Sequence, residues 1–308
     1  MTTPKHFLTM LDYDKEMIQA LLEDAKQLKK ELKEGTPHPH LKGKTLAMIF
    51  EKSSTRTRVS FEVGMLQLGG HALFLSSNEI QLGRGEPISD TAKVLSGYVD
   101  GIMIRTFGHS RIEELADQAT IPVINGLTNE HHPCQVMADL LTIQEQKGTL
   151  EGLTASYIGD GFNNVAHSLI QGLCLMGMHV KVASPEGYEP DPAIMHEAEV
   201  IAGEQGGSLA FSHSAQTAIQ DSDVVITDVW ASMGNEAEKE QRLNDFQGFQ
   251  VNQELTEHAK DDYIFLHCLP AHRGEEVTSE IIDGSHSVVF EEAENRLHAQ
   301  KAILKKLL

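Results

Sequence analysis

Six consecutive residues, Ser53-Ser54-Thr55-Arg56-Thr57-Arg58, combine four hydroxyls with two guanidinium groups and include no carboxylate. They follow a short apolar run, Thr45 to Phe50, and lead into a segment with apolar residues at helical spacing. That places them where a strand hands over to a helix. A helix N-terminus offers unpaired N–H groups and a partial positive charge, both suited to a phosphate. Arginine adds a planar fork of donors that can take two phosphate oxygens at once. The bland alternative is an N-capping cluster beside surface arginines. It is disfavoured because 45 acidic residues face only 25 basic ones, so an acid-free basic stretch is a local exception. The formal charge of −20 also argues against nucleic acid as a partner and requires any anionic substrate to meet locally concentrated cations.

Four further constellations carry chemistry. Asn129-Glu130-His131-His132-Pro133-Cys134-Gln135 opens a helix. Its adjacent histidines lack zinc-ligand spacing and no C-x-x-C is present, so no metal is expected. An imidazole at His132 and the amide of Gln135 can donate to the oxygen and accept from the NH2 of a planar carbamoyl-type group. His267-Cys268-Leu269-Pro270-Ala271-His272-Arg273-Gly274-Glu275-Glu276 follows a buried run. Ligands of open α/β sheets bind at the carboxyl ends of strands, although an isolated cysteine is often only a buried apolar residue. Asp228-Val229-Trp230-Ala231-Ser232-Met233-Gly234 has an aspartate that can pair with an ammonium or merely cap a turn. Gly159-Asp160-Gly161-Phe162-Asn163-Asn164 imitates a dinucleotide fingerprint, but Asn164 stands where the third glycine belongs. That residue suggests a side-chain contact, and no cofactor is expected.

The elements that must position these residues alternate. Residues 8–34 read as an amphipathic helix, 35–43 as a loop, 45–50 as a strand and 54–68 as a helix. Strands follow at 71–75, 101–104 and 123–124, then a helix over 135–146. After Gly148 come strands at 155–158, 179–183, 224–227, 263–267 and 288–290, with a helix over 164–176 and a last one from 293. Such alternation predicts an α/β fold of two domains, each a parallel sheet flanked by helices. The expected domains are 1–145 and 146–290, with 291–308 as a C-terminal helix returning to the first. The opening MTTPKHFLTMLDYDKE has no signal-peptide pattern, no run approaches a membrane span, and three scattered cysteines form no disulfide framework. A cytoplasmic protein is expected.

Together these segments resemble the aspartate/ornithine carbamoyltransferase family over nearly the whole chain. S-T-R-T-R is that family's phosphate loop. The run Asp228 to Gly234 matches the D-x-x-x-S-M-G loop of the ornithine-specific branch, and His267 to Glu276 matches its H-C-L-P-A-H-R-G-E-E. Gly85 stands where the aspartate branch has lysine. The resemblance implies carbamoyl phosphate and L-ornithine as substrates, no cofactor, a cis Leu269–Pro270 bond and a homotrimer or an assembly of trimers. It implies that Ser54, Thr55, Arg56 and Thr57 hold the phosphate, with Gln81 reaching it from a neighbouring subunit. Arg105 would bridge phosphate and carbonyl oxygen, His132 and Gln135 would hold the carbamoyl group, and Arg296 would face the same site. Asn164, Asp228, Ser232 and Met233 would fix the α-amino and carboxylate ends of ornithine. Cys268 and Leu269 would lie beside the attacking amine. Direct attack of a neutral δ-amine then needs no covalent intermediate, with Arg105, His132 and Thr57 stabilising the oxyanion, Cys268 orienting the amine and Asp228 anchoring the acceptor. The rival acceptors are putrescine and an N-acylated ornithine, and the amino-acid-binding S-M-G loop argues against putrescine, which has no carboxylate. A nicotinamide dehydrogenase leaves the serine–arginine loop unexplained, and a non-catalytic paralogue conflicts with the complete set of motif residues.

Overall fold

The computed structural model describes residues 5–77, 79–231 and 238–308. Among them, short runs rich in β-branched and aliphatic residues form β1 (Thr45–Phe50), β2 (His71–Ser76), β3 (Gly101–Arg105) and β4 (Val123–Leu127). The second series is β5 (Thr154–Ile158), β6 (His179–Ala183), β7 (Ser208–Ser212), β8 (Val224–Thr227) and β9 (Ile264–His267). They build a four-stranded sheet in the order β2-β1-β3-β4 and a five-stranded sheet in the order β7-β6-β5-β8-β9. Every ladder is parallel. The central strands are buried along nearly their whole length, as expected when helices cover both faces. The edge strands β2 and β7 alternate between exposed and half-buried residues.

Strand order creates one reversal in each sheet. From β1 the chain steps outward to β2, then returns to lay β3 on the other edge of β1. The second sheet repeats the move, running β5 to β7 on one side before β8 pairs with β5 on the other. At such a switch point the loops after two neighbouring strands diverge and leave a crevice at their carboxyl ends. The residues after β1 and β3, and those after β5 and β8, are therefore the ones placed for ligands.

Two compact units result. One comprises residues up to Leu141 together with Glu294–Leu308, and the other Thr142–Ala293. The first buries Ile49, Ile102, Ile104, Ile112 and Leu115 around its sheet. Each such side chain contributes roughly 1.5–3 kcal/mol on burial. In the first unit Lys29 Nζ donates to Asn295 Oδ1 at 2.7 Å and Lys305 pairs with Asp24 at 2.9 Å, tying the end of the chain to the helix Lys15–Lys33. The second unit packs Ile158, Val225, Phe246 and Phe265, with Trp230 stacked on Phe246 at 5.4 Å between centroids.

Several elements depart from expectation. Residues 8–34 are not one helix: a 3-10 turn, Met10–Asp12, precedes the helix Lys15–Lys33. The break arises because Thr9 and Asp12 close a capping box while Asp14 caps Met17 N–H at 2.8 Å. The expected strand at 288–290 does not form. Only Ser287 bridges to Phe265, and Val289 begins the helix Val289–Leu307 with Phe290 exposed. A three-residue apolar run cannot by itself distinguish a strand from a helix start. A 3-10 turn, Gln81–Arg84, lies between β2 and the helix Ile88–Ser96, and its Leu82 is buried. Strand β7 was not anticipated, since its partly exposed S-L-A-F-S sequence lacks a buried-strand signature.

Candidate active site

In the first unit the serine–arginine loop follows β1. Ser54 is the N-cap of the helix Thr55–Gln67, and its hydroxyl accepts from Thr57 N–H at 3.2 Å. The first turn contains no acidic residue, so its positive end is not neutralised by its own sequence. Thr57 is buried, and its Oγ1 accepts from Arg296 Nη2 at 2.8 Å. That bond joins residues 239 positions apart and brings a third arginine to the loop. Arg105 closes β3 and is itself buried.

His132 lies just ahead of the helix Pro133–Lys147. Burial, then the charges of Arg296, Arg105 and Arg56, push its pKa well below 6.5. The charges of three guanidinium groups thus act on one buried imidazole and favour its neutral form. A neutral ring has one donor and one acceptor nitrogen, and it is this form that burial and the arginines favour. Gln135 is equally buried, and its Nε2 donates to Asp139 Oδ1 at 2.8 Å one turn further on. Asp139 therefore fixes which way the amide faces. Lys52 also belongs to this environment: burial, and next the charge of Arg105, lower its pKa, opposed by Glu130. Neither Asp139 nor Lys52 was singled out by the sequence, although the i, i+4 spacing from Gln135 to Asp139 was a usable signal. Gln81 is exposed on its 3-10 turn.

In the second unit Asn164 opens the helix Asn164–Leu175, and Asn163 is its cap, accepting from Ala166 N–H at 2.8 Å. Gly161 serves packing: a Cβ there would lie 2.7 Å from Pro190 Cδ and 2.8 Å from Tyr188 O. Asp228 follows β8 and Cys268 follows β9, adjacent strands, and Cys268 Sγ donates to Asp228 Oδ1 at 3.2 Å. Burial pushes the Asp228 carboxyl up, against the pull of His267, Cys268 and Val229 N–H. Leu269 takes φ 57° and precedes a cis proline, Pro270. Ser232 and Met233 lie outside the described residues. Arg242 was missed in the sequence. Its Nη1 donates to Asp160 Oδ2 at 2.6 Å and to Trp230 O at 2.8 Å, binding the loop after β5 to the loop after β8.

Residues 5–145 match the family model described as aspartate/ornithine carbamoyltransferase, carbamoyl-P binding domain, and residues 151–307 match its Asp/Orn binding domain. The chain belongs to the aspartate/ornithine carbamoyltransferase family. Its relatives include the ornithine carbamoyltransferase of Anoxybacillus flavithermus, 61% identical over 99% of this chain and 96% of that one. That of Bacillus subtilis is 59% identical, covering 99% and 94%. Among solved structures, ornithine carbamoyltransferase from Pyrococcus furiosus superposes with a TM-score of 0.95 at 57% identity, covering 98% of this chain and 96% of that one. The two matched domains of this carbamoyltransferase coincide closely with the two sheets, and the clusters around His132 and Asp228 fall one in each.

Proposed function

We propose that this carbamoyltransferase moves the carbamoyl group of carbamoyl phosphate to the δ-amine of L-ornithine, giving L-citrulline and phosphate. The observation that carries the reading is the convergence of Arg56, Arg105 and Arg296 on neutral, buried His132, beside the helix capped by Ser54. Three fixed cations and an unneutralised helix N-terminus suit a phosphate ester dianion. A neutral imidazole and an amide oriented by Asp139 suit the uncharged carbamoyl end. On this reading Ser54, Thr55, Arg56 and Thr57 take the phosphate, and Arg105 spans phosphate and carbonyl oxygen. Arg296 faces the same ligand, as do Cys268 and Leu269 on the acceptor side. Asp228 pairs with the α-ammonium of ornithine alongside Asn164, Ser232 and Met233.

The chemistry is acyl transfer. The lone pair of the neutral δ-amine forms the new C–N bond and the C=O π electrons move to oxygen. Arg105, His132 and Thr57 stabilise that oxyanion. Collapse breaks the bond to phosphate, which departs with the proton lost by nitrogen. The choice of ornithine is supported by relatives at 59–61% identity that carry that substrate in their names. Citrulline formation from carbamoyl phosphate, compared across ornithine, putrescine, aspartate and N-acetylornithine, tests it. Turnover with any of the other three above that with ornithine overturns the assignment.

The finer reading is a cytoplasmic enzyme of arginine metabolism that works as a homotrimer. Assembly rests on the family resemblance; exposed Val59 and Leu66 on the helix Thr55–Gln67 and Leu73 on the edge strand β2 are apolar side chains that such contacts could cover. Light scattering on the purified protein measures the stoichiometry, and a monomeric mass overturns this part.

A further inference from the structure

Beyond β9 the chain makes a tight turn, His272-Arg273-Gly274-Glu275, closed by Glu275 N–H donating to His272 O at 2.9 Å. Gly274 takes φ 90°, the left-handed value that the third position of such a turn demands of glycine. The turn brings the His272 and Glu275 side chains together, with His272 Nδ1 3.8 Å from Glu275 Oε2. The same nitrogen lies 3.8 Å from Glu276 Oε2. Other residues hold the turn rigid. Gln250 Nε2 donates to the carbonyls of Gly274 and Glu275 at 3.0 and 2.8 Å. Arg273 forks onto Asp283 at 2.8 and 2.6 Å.

Glu276 is fully buried, and its two oxygens differ. Oε1 accepts from His267 Nε2 at 3.1 Å and from His272 N–H. Oε2 accepts no hydrogen bond among the described residues and faces the His272 ring. A buried carboxylate oxygen without a donor is costly unless something else takes its charge. Glu275 meets Lys239 through Oε1 at 2.7 Å, while its Oε2 is the oxygen nearest His272.

We propose that His272 Nδ1, Glu275 Oε2 and Glu276 Oε2 bind a divalent first-row transition cation, Zn2+ in class. His272 Nδ1 lies 3.8 Å from each of the two carboxylate oxygens, and one ligand atom from each of the three residues falls within 4.8 Å of the others. A tetrahedral ion with ligands at about 2.0–2.2 Å sets them roughly 3.3–3.6 Å apart. The adjustment falls on the accessible side chains of His272 and Glu275, while Glu276 stays anchored through Oε1. A fourth position is left for water. One imidazole with two carboxylates suits Zn2+, whereas Mg2+ prefers oxygen ligands and keeps its waters. Such a site would run against the sequence expectation of no metal. It is independent of the transfer reaction, because none of the three ligand atoms belongs to the proposed substrate set.

A second group, Asp228, His267 and Cys268, also lies within metal-ligand reach but contains a thiol. The test must tell the two apart. Tag-free protein stripped with chelator is titrated calorimetrically with Zn2+ and, in parallel, with Co2+ while the near-ultraviolet spectrum is followed. We expect one Zn2+ per chain whose affinity falls at least tenfold in His272→Ala and in Glu275→Gln. Co2+ at this site produces no thiolate charge-transfer band. His272 and Glu275 are surface side chains, and circular dichroism verifies that both variants keep the fold. Unchanged Zn2+ affinity in both variants overturns the site, as does a Co2+ spectrum in which all bound metal shows the thiolate band. Equal affinity for Mg2+ overturns the role given to the imidazole.

Discussion

Arg56, Arg105 and Arg296 all act on the charge of His132, and each should be costly to remove if a bound phosphate has no water to replace a lost guanidinium. We expect Arg56→Ala to fold normally and to lose roughly 1.5–3 kcal/mol of carbamoyl phosphate affinity, about tenfold to a hundredfold in Kd. Calorimetry with an unchanged Kd removes the loop from the site. Asp228 is proposed to act on the other substrate. Asp228→Asn keeps its volume and its contact to Cys268 but loses the charge that meets an ammonium, so the KM for ornithine should rise at least tenfold with that for carbamoyl phosphate little changed. An equal rise in both marks Asp228 as structural. The same residues set the pH dependence. With its folded pKa held well below 6.5, His132 carries no proton to lose between pH 6 and 9. The profile of kcat should therefore climb through this range as the bound δ-amine, ordinarily near 10.4, deprotonates. A flat profile under saturating ornithine counts against attack by the neutral amine as the limiting step.

At the scale of an element, the helix Val289–Leu307 carries its own titration. Its His298 is buried, and burial, then Lys301 on the same helix and Lys29 on the helix Lys15–Lys33, press its pKa to about 4, with Glu294 opposing. An unfolded histidine titrates near 6.5. Between these values the unfolded chain binds more protons, so the helix loses stability as pH falls from 6.5 toward 4 and keeps all of it above 6.5. His298→Gln removes the titration. Thermal melts should show the wild-type Tm falling more steeply than the variant's over that interval, and parallel curves sink the idea. Elements differed in how plainly they read in the sequence. Thr45–Phe50 was evident because a central strand buried on both faces is an unbroken apolar run. Ser208–Ser212 was not, because an edge strand faces solvent and its composition resembles a loop.

On the scale of the whole molecule, the trimer reading makes Gln81 serve a neighbour's site. Its exposure on the turn Gln81–Arg84 leaves it available for that. Take Arg105→Ala and Gln81→Glu, each nearly inactive alone. After dissociation and random reassembly in equal amounts, about a quarter of the sites in a closed ring combine both native residues. Activity should return to about a quarter of wild type. A mixture as inactive as its parents, with subunit exchange confirmed by mass spectrometry of differently labelled chains, places Gln81 in its own chain's site instead.

Residue types and local spacing were enough to mark Ser54 to Arg58, His132, Asp228 and Cys268, because a strand end followed by polar residues is a local pattern. Strand order was beyond that pattern. Only the arrangement β2-β1-β3-β4 puts the loop after β1 beside Arg105, and only packing of the last helix brings Arg296 within 2.8 Å of Thr57. The charge of His132 was likewise undecided until burial and three arginines met at one ring. Arg242 reached Asp160 across 82 residues, a pairing no local spacing encodes. Sequence periodicity reports which face of an element is apolar, whereas desolvation and the summed field of distant charges exist only once the chain has folded.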